Sequence, residues 1–272
     1  MPHNIPMKDM LRVAVSAAKS SGSYISKASE KTNELEVSEK KLHDYVSEVD
    51  RNSEIIITTL IAKHFPEHRI LGEEYGHAGG TKSDYQWVID PLDGTTNFLH
   101  SIAHYAVSIA LIYQGEIVIG VVYDAAKDEL FHAVKGEGAF LNEEKIGVSD
   151  KTSISGALIA TGIPFNGENL EKVSSFTATM ENILALQTSG IRRLGAAALD
   201  LAYIACGRYD GFWETNLQPW DIAAGILLVT EAGGVVTDLN GGNNYLQTGN
   251  ILASNISVHS PMLSVTDKYN AE

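Results

Sequence analysis

The 272-residue sequence predicts a globular protein whose first part is of the α+β class and whose second part is of the α/β class. Three observations lead to this prediction. Apolar residues recur at helical spacing over residues 7–28. Short β-rich runs separated by turn residues follow one another from 86 to 141. From about residue 153 onward, strand-like and helix-like segments alternate.

The first part begins with the helix predicted over residues 7–28. A second helix is predicted after Asp50, which stands where an N-cap residue would, and Pro66 ends this helix. The β-rich runs that follow predict an antiparallel meander, and they read WVID, YAVSIALIY, EIVIGVVYD and ELFHAV.

The second part is predicted to contain four strands and three helices. The predicted strands are ALIATG, DGFWE, GVVTD and NILASN, and the predicted helices are residues 170–186, GAAALDLAYIA and WDIAAGILLVTEAGG, the last ended by Gly233. The apolar pattern is interrupted near 142–152. We therefore predict an N-terminal α+β part of residues 1–147 and a C-terminal α/β part of residues 148–272.

The composition limits the classes of function. The chain has 34 acidic residues against 20 Lys and Arg, and its formal net charge of -14 argues against direct binding of a nucleic-acid backbone. The single cysteine, Cys206, excludes an internal disulfide and a cysteine-based zinc site. No apolar run approaches the length of a membrane span, and the first residues lack the layout of a signal peptide. A cytoplasmic location is therefore the default expectation.

The stretch DPLDGTTN, residues 90–97, places two carboxylates three positions apart at the end of a predicted strand. Pro91 restricts Asp90 to extended geometry, and the following turn brings Asp93 toward the same side. A backbone carbonyl, that of Leu92, is expected to point there as well. Mg²⁺ prefers oxygen ligands of this kind. Gly94 and the residues after it resemble the start of a helix, where free N–H groups suit a phosphate.

Several known motifs do not account for this stretch. An EF-hand requires a bidentate Glu at its twelfth position, where this chain has Ser101. Neither a phosphate-binding G-x-x-x-x-G-K-[ST] loop nor a G-x-S-x-G serine-hydrolase motif occurs. A plain Asp/Gly turn with a helix cap remains the structural alternative.

Two further segments add carboxylates at the edges of predicted elements. In ILGEE, residues 70–74, Glu73 follows a short apolar run, and in PWDIAA, residues 219–224, Asp221 opens an apolar helix. Alone, the first segment is compatible with a solvated loop and the second with an N-cap. Together with Asp90 and Asp93 they supply the four carboxylates that a pair of Mg²⁺ ions needs.

The segments Glu73-Glu74, DPLDGTTNF and PWDIAAG, in this order and at these separations, resemble the inositol monophosphatase family over nearly the whole chain. DYVSEVD, GAAALDLAY, GRYDGFWE and GGNNYLQTGNILASN further resemble its bacterial inositol-1-monophosphatase branch. The resemblance implies a layered αβαβα sandwich, as in fructose-1,6-bisphosphatase. It also implies a Mg²⁺-dependent, lithium-sensitive phosphatase that forms a homodimer and releases phosphate from a small phosphorylated polyol.

The resemblance also assigns roles by position. The implied metal ligands are Glu73, Asp90, the Leu92 carbonyl, Asp93 and Asp221, and the implied catalytic residues are Glu73, Asp50 and Thr95, with Asp50 and Thr95 orienting the attacking water. The implied substrate-binding residues are Leu92, Asp93, Gly94, Thr95, Thr96, Arg192, Gly195, Ala197, Glu214 and Asp221. Within this set, Glu214 binds sugar hydroxyls, and Arg192 lies near the mouth of the pocket.

The resemblance leaves the substrate open. Ala196 stands where relatives often carry a small hydroxyl residue, so the substrate preference is not settled by position. Rival activities on the same fold are a 3′(2′),5′-bisphosphate nucleotidase and a fructose-1,6-bisphosphatase. A role of another class is a non-catalytic one, in which the chain binds a protein of the transcription machinery.

Overall fold

The computed structural model describes residues 7–34, 37–41, 44–164 and 173–266. Its helices are α1 (Met7–Ala28), α2 (Glu48–His64), α3 (Thr95–Leu99), α4 (Val173–Ala185), α5 (Ala197–Ala205), α6 (Pro219–Glu231), α7 (Tyr245–Thr248) and α8 (Ile256–Thr266), with a 3-10 helix (Ser29–Glu34) after α1. Its strands are β1 (Val37–Lys41), β2 (Asp44–Ser47), β3 (Arg69–Gly72), β4 (Gly76–Gly79), β5 (Tyr85–Asp93), β6 (Ala106–Tyr113), β7 (Glu116–Asp124), β8 (Glu129–Val134), β9 (Gly138–Leu141), β10 (Glu144–Ile146), β11 (Leu158–Thr161), β12 (Gly190–Arg192), β13 (Gly211–Glu214), β14 (Val235–Thr237) and β15 (Ile251–Ser254).

These strands form two large sheets and one hairpin. The larger sheet has eight strands in the order β10-β9-β8-β7-β6-β5-β3-β4, and the smaller has five in the order β12-β11-β13-β15-β14. The run from β5 to β9 is antiparallel throughout, which confirms the predicted meander. β3 lies parallel to β5, and β11 lies parallel to both β12 and β13. The hairpin consists of β1 and β2.

Helices cover both faces of each large sheet, because each sheet is apolar on both sides. Helices α1 and α2 pack on the outer face of the eight-stranded sheet around Met10, Ile57 and Trp87. Helices α5 and α6 are almost wholly apolar and fill the space between the two sheets. Helices α4 and α8 close the far side of the five-stranded sheet. The predicted αβαβα sandwich is confirmed.

The start of α2 differs from the prediction. The N-cap residue is Ser47 rather than Asp50, so the helix begins one turn earlier. Ser47 Oγ accepts a hydrogen bond from the Val49 backbone N–H (3.1 Å), while Asp50, inside the first turn, accepts from the Ser47 backbone N–H (2.8 Å). This arrangement is a capping box. An acid at the third helical position can accept a hydrogen bond from a free backbone N–H at the start of the helix, as an N-cap acid does. The two positions are therefore hard to distinguish in the sequence, and the predicted helix start was wrong by three residues.

Some elements were not predicted. They are the short strands β1 to β4, β10 and β12 and the helices α3, α7 and α8, of which α3 had been recognised only as a helix start. Most have three to five residues, too few to show a periodic pattern. The first three residues of the helix predicted over 170–186 lie outside the described residues. The boundary at 147/148 stays a prediction, since α5 and α6 contact both sheets.

We find no helix in the described ranges that is both long enough and apolar enough to cross a membrane.

Candidate active site

The end of β5 departs from regular strand geometry where the sequence has DPLD. β5 pairs with β6 through Asp90 opposite Ser108 and Asp93 opposite Ala106, and the register shifts between the two pairs. The Leu92 backbone N–H donates to Asp90 Oδ1 (2.9 Å), which closes a tight turn around Pro91. Asp90 and Leu92 are buried by this turn. The bulge therefore gathers two carboxyl groups at one end of the sheet.

Glu73 reaches the same end of the sheet from β3. β3 runs parallel to β5 with Gly72 opposite Ile89, and the Glu73 backbone N–H continues the ladder by donating to the Ile89 carbonyl (3.2 Å). The carboxyl group of Glu73 lies near that of Asp90 and raises its pKa. The parallel register thus brings together two acids that are distant in sequence.

Asp93 and Asp221 join the first sheet to the helices of the second part. Asp93 Oδ2 accepts from the backbone N–H of Ala198 in the first turn of α5 (2.7 Å). Asp221 Oδ2 accepts from the backbone N–H of Gln218 (2.7 Å), so Asp221 is in the first turn of α6 and is not its N-cap. Ser108 Oγ donates to the Trp220 carbonyl (3.1 Å), which holds the start of α6 against β6. Both helices therefore begin at the end of β5.

These elements surround a cavity of about 430 Å³, a size suited to a small-molecule ligand. Nine of the predicted site residues line it: Glu73, Asp93, Gly94, Thr95, Thr96, Gly195, Ala197, Glu214 and Asp221. Asp90 and Leu92 are buried beneath its wall, and Asp50 reaches it through Thr95. The tertiary structure thus brings the predicted residues together, with one exception.

That exception is Arg192, which was predicted at the mouth of the pocket. It ends the edge strand β12 with an exposed side chain, and its Nη1 donates to the neighbouring Ile191 carbonyl (3.3 Å). The next residue, Arg193, lines the cavity instead. Successive side chains of an extended segment point to opposite sides, so Arg192 and Arg193 face different surroundings. The role of Arg192 stays a prediction.

The carboxyl groups of the cavity repel one another. Burial raises the pKa of Asp90 well above its usual range, and the nearby Glu73 and Asp93 raise it further. Burial, followed by the charge of Asp221, likewise raises the pKa of Asp93. Burial and the same Asp221 raise the pKa of Glu214 to about 8, against the opposing effect of Arg193. Without a cation, ionising these buried neighbouring carboxyl groups therefore costs free energy.

Asp50 and Thr95 form a hydrogen-bonded pair at the cavity wall. Thr95 Oγ1 lies 2.8 Å from Asp50 Oδ1 and 3.1 Å from the Leu92 carbonyl oxygen. Asp50 Oδ2 accepts from Ser47 Oγ at 2.6 Å. Burial raises the pKa of Asp50, and the hydrogen bonds from Ser47 and Thr95 oppose that rise. When the Thr95 hydroxyl donates to Asp50, its oxygen is left to accept a hydrogen bond from the cavity.

The donors of this site fit Mg²⁺ in their chemistry. Hard divalent cations take carboxylate and carbonyl oxygens, and they relieve the repulsion that raises the pKa values of Asp90 and Asp93. Within the described ranges, no group of three or more Asp, Glu, His or Cys side chains is placed so that it could hold a metal ion without rearrangement. Glu73 and Asp90, whose proximity raises the pKa of Asp90, would both have to ionise in order to share a cation. The ligand set therefore stays a prediction.

Glycines allow polar side chains to lie against the backbone around the cavity. A Cβ on Gly162 would lie 1.7 Å from Glu214 Oε1, and a Cβ on Gly195 would lie 2.8 Å from Arg193 Nη1. Gly162 was not singled out from the sequence. Its signal was its place at the end of β11, because ligands commonly bind at the carboxyl ends of parallel strands.

Asn97 is a second residue that the sequence analysis did not assign to the site. Its Nδ2 donates to the His104 carbonyl (2.8 Å) and to the Leu194 carbonyl (2.7 Å). It thereby ties the segment after Asp93 to the segment before α5, and it also lines the cavity. The available signal was its position at the end of DGTTN.

The chain is similar to known proteins along most of its length. The model of the inositol monophosphatase family matches residues 7–269. A relative from Pseudomonas aeruginosa named Nus factor SuhB is 46% identical over 260 residues, which cover 95% of this chain and 96% of that protein. Its counterpart in Escherichia coli is also 46% identical.

Solved structures agree with the fold described above. The extragenic suppressor protein SuhB from Bartonella henselae superimposes with a TM-score of 0.90 at 44% identity, covering 97% of this chain and 99% of that one. An inositol monophosphatase from Anabaena superimposes with a TM-score of 0.82 at 38% identity, covering 96% of each chain.

Proposed function

The chain belongs to the inositol monophosphatase family, and on that premise we propose that it is a Mg²⁺-dependent phosphate monoester hydrolase acting on inositol 1-phosphate. The observation that carries the proposal is one cavity lined by acids from four separate elements, beside the Asp50–Thr95 pair. The reaction consumes one water and one phosphate monoester. A bond forms between the water oxygen and phosphorus, the bond between phosphorus and the alcohol oxygen breaks, and a proton from the water ends on the leaving alcohol, which gives inositol and phosphate.

The metal ligands in this proposal are Glu73, Asp90, Asp93 and Asp221 with the Leu92 carbonyl. Bound Mg²⁺ would supply a lowered pKa for the attacking water and charge compensation for the leaving oxygen. The chain's own contribution is to position these groups and to compensate charge, because phosphoryl transfer needs little covalent assistance.

Thr95 and Asp50 orient the attacking water. The Thr95 hydroxyl donates to Asp50 Oδ1, and Ser47 holds the other Asp50 oxygen through its backbone N–H and its hydroxyl. Thr95 Oγ1 can then accept one hydrogen of a water, which directs a lone pair of that water toward the phosphorus. Asp50 acts without contacting the substrate.

The remaining cavity residues bind the two ends of the substrate. Gly94, Thr95 and Thr96 line the cavity at the start of α3, and we assign their backbone N–H groups to the phosphate. At the other end, Glu214 accepts hydrogen bonds from ring hydroxyls that would otherwise lose their partners in the pocket. Gly195 and Ala197 bound the ring without filling the cavity.

A substrate panel tests this proposal. Phosphate release should be measured from inositol 1-phosphate, 3′-phosphoadenosine 5′-phosphate and fructose 1,6-bisphosphate, each with and without Mg²⁺ and Li⁺. We expect the highest kcat/KM on inositol 1-phosphate, no turnover without Mg²⁺, and inhibition by Li⁺. A relative 28% identical to this chain, SaIMPase-II, has been solved with bound inositol monophosphate and with bound 2′AMP, so both ligand classes belong in the panel. Turnover that is highest on a nucleotide would replace the polyol assignment.

A non-catalytic role is the second candidate, because relatives 46% identical to this chain are named Nus factors. We propose that this chain also binds a protein of the transcription machinery. A strain that carries only the Asp93→Asn variant separates the two roles. Growth and transcription at wild-type level would assign the cellular role to binding, and loss of both would assign it to hydrolysis.

The homodimer and the cytoplasmic location are further parts of the proposal. Light scattering on the purified protein checks the first, and fractionation of cells checks the second. A mass of one chain at micromolar concentration would contradict the dimer.

A further inference from the structure

Glu54 is a buried acid on α2 that the proposed mechanism does not use. It is only 1% exposed, and its carboxylate accepts two backbone hydrogen bonds, from Glu74 N–H (2.7 Å) and from Tyr75 N–H (3.1 Å). These are the two amides directly after Glu73. A carboxylate offers two acceptor oxygens, so one side chain can hold both amides at once.

The Glu54 carboxylate also lies against Gly72, the residue immediately before Glu73. A Cβ on Gly72 would lie 2.0 Å from Glu54 Oε1, so only glycine lets the acid approach the backbone this closely. Glu54 therefore contacts the chain both immediately before and immediately after Glu73. The Glu73 backbone N–H, for its part, pairs with Ile89.

The turn after Glu73 connects β3 to β4, which pair with Gly72 opposite Gly76. β3 ends at Gly72, and the side chain of Tyr75 is 55% exposed, so burial of that ring does not hold the turn. The two hydrogen bonds to Glu54 connect the turn to α2, the same helix whose first turn carries Asp50. Helix α2 thus supports the residues around the cavity at two points, because Asp50 hydrogen-bonds to Thr95 and Glu54 hydrogen-bonds to the turn after Glu73.

We propose that Glu54 is a positioning residue that fixes the backbone on both sides of Glu73 and thereby directs the Glu73 carboxylate into the cavity. Glu54 itself touches neither substrate nor metal. The inference rests on the proposed function, because it assumes that Glu73 is a metal ligand. In this role Glu54, on α2, holds Glu73 in the orientation that metal binding requires.

The test uses Glu54→Gln with Glu231→Gln as the matched control. Gln keeps the volume but replaces one acceptor oxygen by an NH₂ group, which faces a backbone N–H without a hydrogen bond. Glu231 makes the same kind of contact elsewhere, accepting from Gly136 N–H and Gly138 N–H, both at 2.8 Å. It lies ten residues after Asp221 on α6, roughly 15 Å along the helix axis.

Binding of Mn²⁺, followed by electron paramagnetic resonance, is the main measurement. We expect the dissociation constant to rise about 10–100-fold in Glu54→Gln, the loss that removal of an outer-shell partner typically causes, and to stay unchanged in Glu231→Gln. Amide exchange of residues 74 and 75 should accelerate in Glu54→Gln alone. Gly72→Ala, which pushes on the same carboxylate from the opposite side, should weaken binding in the same direction.

The outcomes separate this inference from the proposed function. Wild-type Mn²⁺ affinity in both Glu54→Gln and Gly72→Ala would overturn the inference and leave the hydrolase standing. Equal weakening in Glu54→Gln and Glu231→Gln would overturn it as well, because the effect would then be a general loss of stability. Tight Mn²⁺ binding without hydrolysis of any panel substrate would overturn the proposed function alone. No Mn²⁺ binding by the wild-type protein would overturn both.

Discussion

At the scale of single residues, Asp93 has a structural and a chemical role. Its Oδ2 accepts from the Ala198 backbone N–H, and its carboxylate lines the acidic cavity. In Asp93→Asn the amide oxygen can still accept from the Ala198 N–H, while the negative charge of the proposed metal ligand is lost. We therefore expect the melting temperature to change little and Mg²⁺-dependent kcat/KM to fall by more than ~100-fold. Near-normal turnover would remove Asp93 from the proposed ligand set.

Glu214 is predicted to select the substrate rather than to drive the chemistry. Glu214→Gln removes charge-assisted hydrogen bonds worth about 1.5–3 kcal/mol, which corresponds to roughly a 10–100-fold loss in kcat/KM on inositol 1-phosphate. A small artificial ester such as p-nitrophenyl phosphate has no ring hydroxyls, so its turnover should change little. Steady-state kinetics on both substrates checks this. Equal losses on the two would exclude the specificity role.

At the scale of elements, two of the acids occupy the same helical position. Asp50 in α2 and Asp221 in α6 each stand in the first turn and accept from the backbone N–H three residues before them. This position holds one carboxylate oxygen in place. The other oxygen of Asp50, Oδ1, accepts a hydrogen bond from Thr95 Oγ1, and Thr95 lines the cavity. The sequence showed an acid near each helix start, but it did not separate the cap from the third helical position.

We predict that the close packing of α6 on the large sheet determines the position of Asp221 in the cavity. A Cβ on Gly120 of β7 would lie 2.6 Å from the Ala224 carbonyl oxygen, so any side chain there must displace the helix. Overpacking of this kind costs about 1–3 kcal/mol. We expect Gly120→Ala to lower the free energy of unfolding by that amount in urea titrations and to reduce activity.

Gly147→Ala is the matched control for this prediction. A Cβ on Gly147 would have its nearest neighbour, the Ala232 carbonyl oxygen, at 3.7 Å, which is an ordinary contact. It should be neutral or stabilise by about 0.4–1 kcal/mol, because alanine restricts the unfolded chain. Equal destabilisation by both variants would argue against the close approach as the cause.

At the scale of the whole molecule, we predict that the acidic cavity makes the stability of the protein depend on pH and on a bound metal ion. Burial and neighbouring acids raise the pKa values of Asp90, Asp93 and Glu214, that of Glu214 to about 8. A carboxyl with a raised pKa keeps its proton in the folded protein after losing it in the unfolded one. The folded state then binds more protons, so the free energy of unfolding decreases as pH rises toward the folded pKa.

We therefore expect the metal-free protein to lose stability between about pH 6.5 and 8, by at most ~1.4 kcal/mol per pH unit for each such carboxyl. Burial lowers the pKa of His104 to about 4, but a histidine with a lowered pKa affects stability only below its usual value near 6.5. Thermal unfolding in EDTA across this range measures the effect.

Adding Mg²⁺ should remove this pH dependence in the wild-type protein, because a cation bound to ionised carboxylates favours the folded state. The gain in melting temperature should be larger at pH 8 than at pH 6.5, and it should be absent in Asp93→Asn. A gain independent of pH, or one that the variant retains, would contradict the link between metal and acids.

The sequence by itself determined the classes of the main elements and the positions of the acids. The strands of the meander and helix α1 could be predicted because each buries apolar residues at a regular spacing along one element. A regular spacing of this kind is visible in the sequence. The acids were recognisable because each interrupts an apolar run at the end of an element. That pattern was enough to predict one acidic site from Glu73, Asp90, Asp93 and Asp221.

Only the tertiary structure decided which side chains meet. Thr95 and Asp50 are 45 positions apart, and Glu54 lies 20 positions before Glu74, so no local pattern links either pair. Their contacts depend on the parallel register of β3 and β5 and on how closely α2 packs on the sheet. The position of Arg193 on the cavity and of Arg192 outside it likewise depends on the direction in which each side chain leaves the backbone at the end of β12. Such contacts depend on how whole helices and strands pack together. Local sequence patterns predict the helices and strands but not their packing.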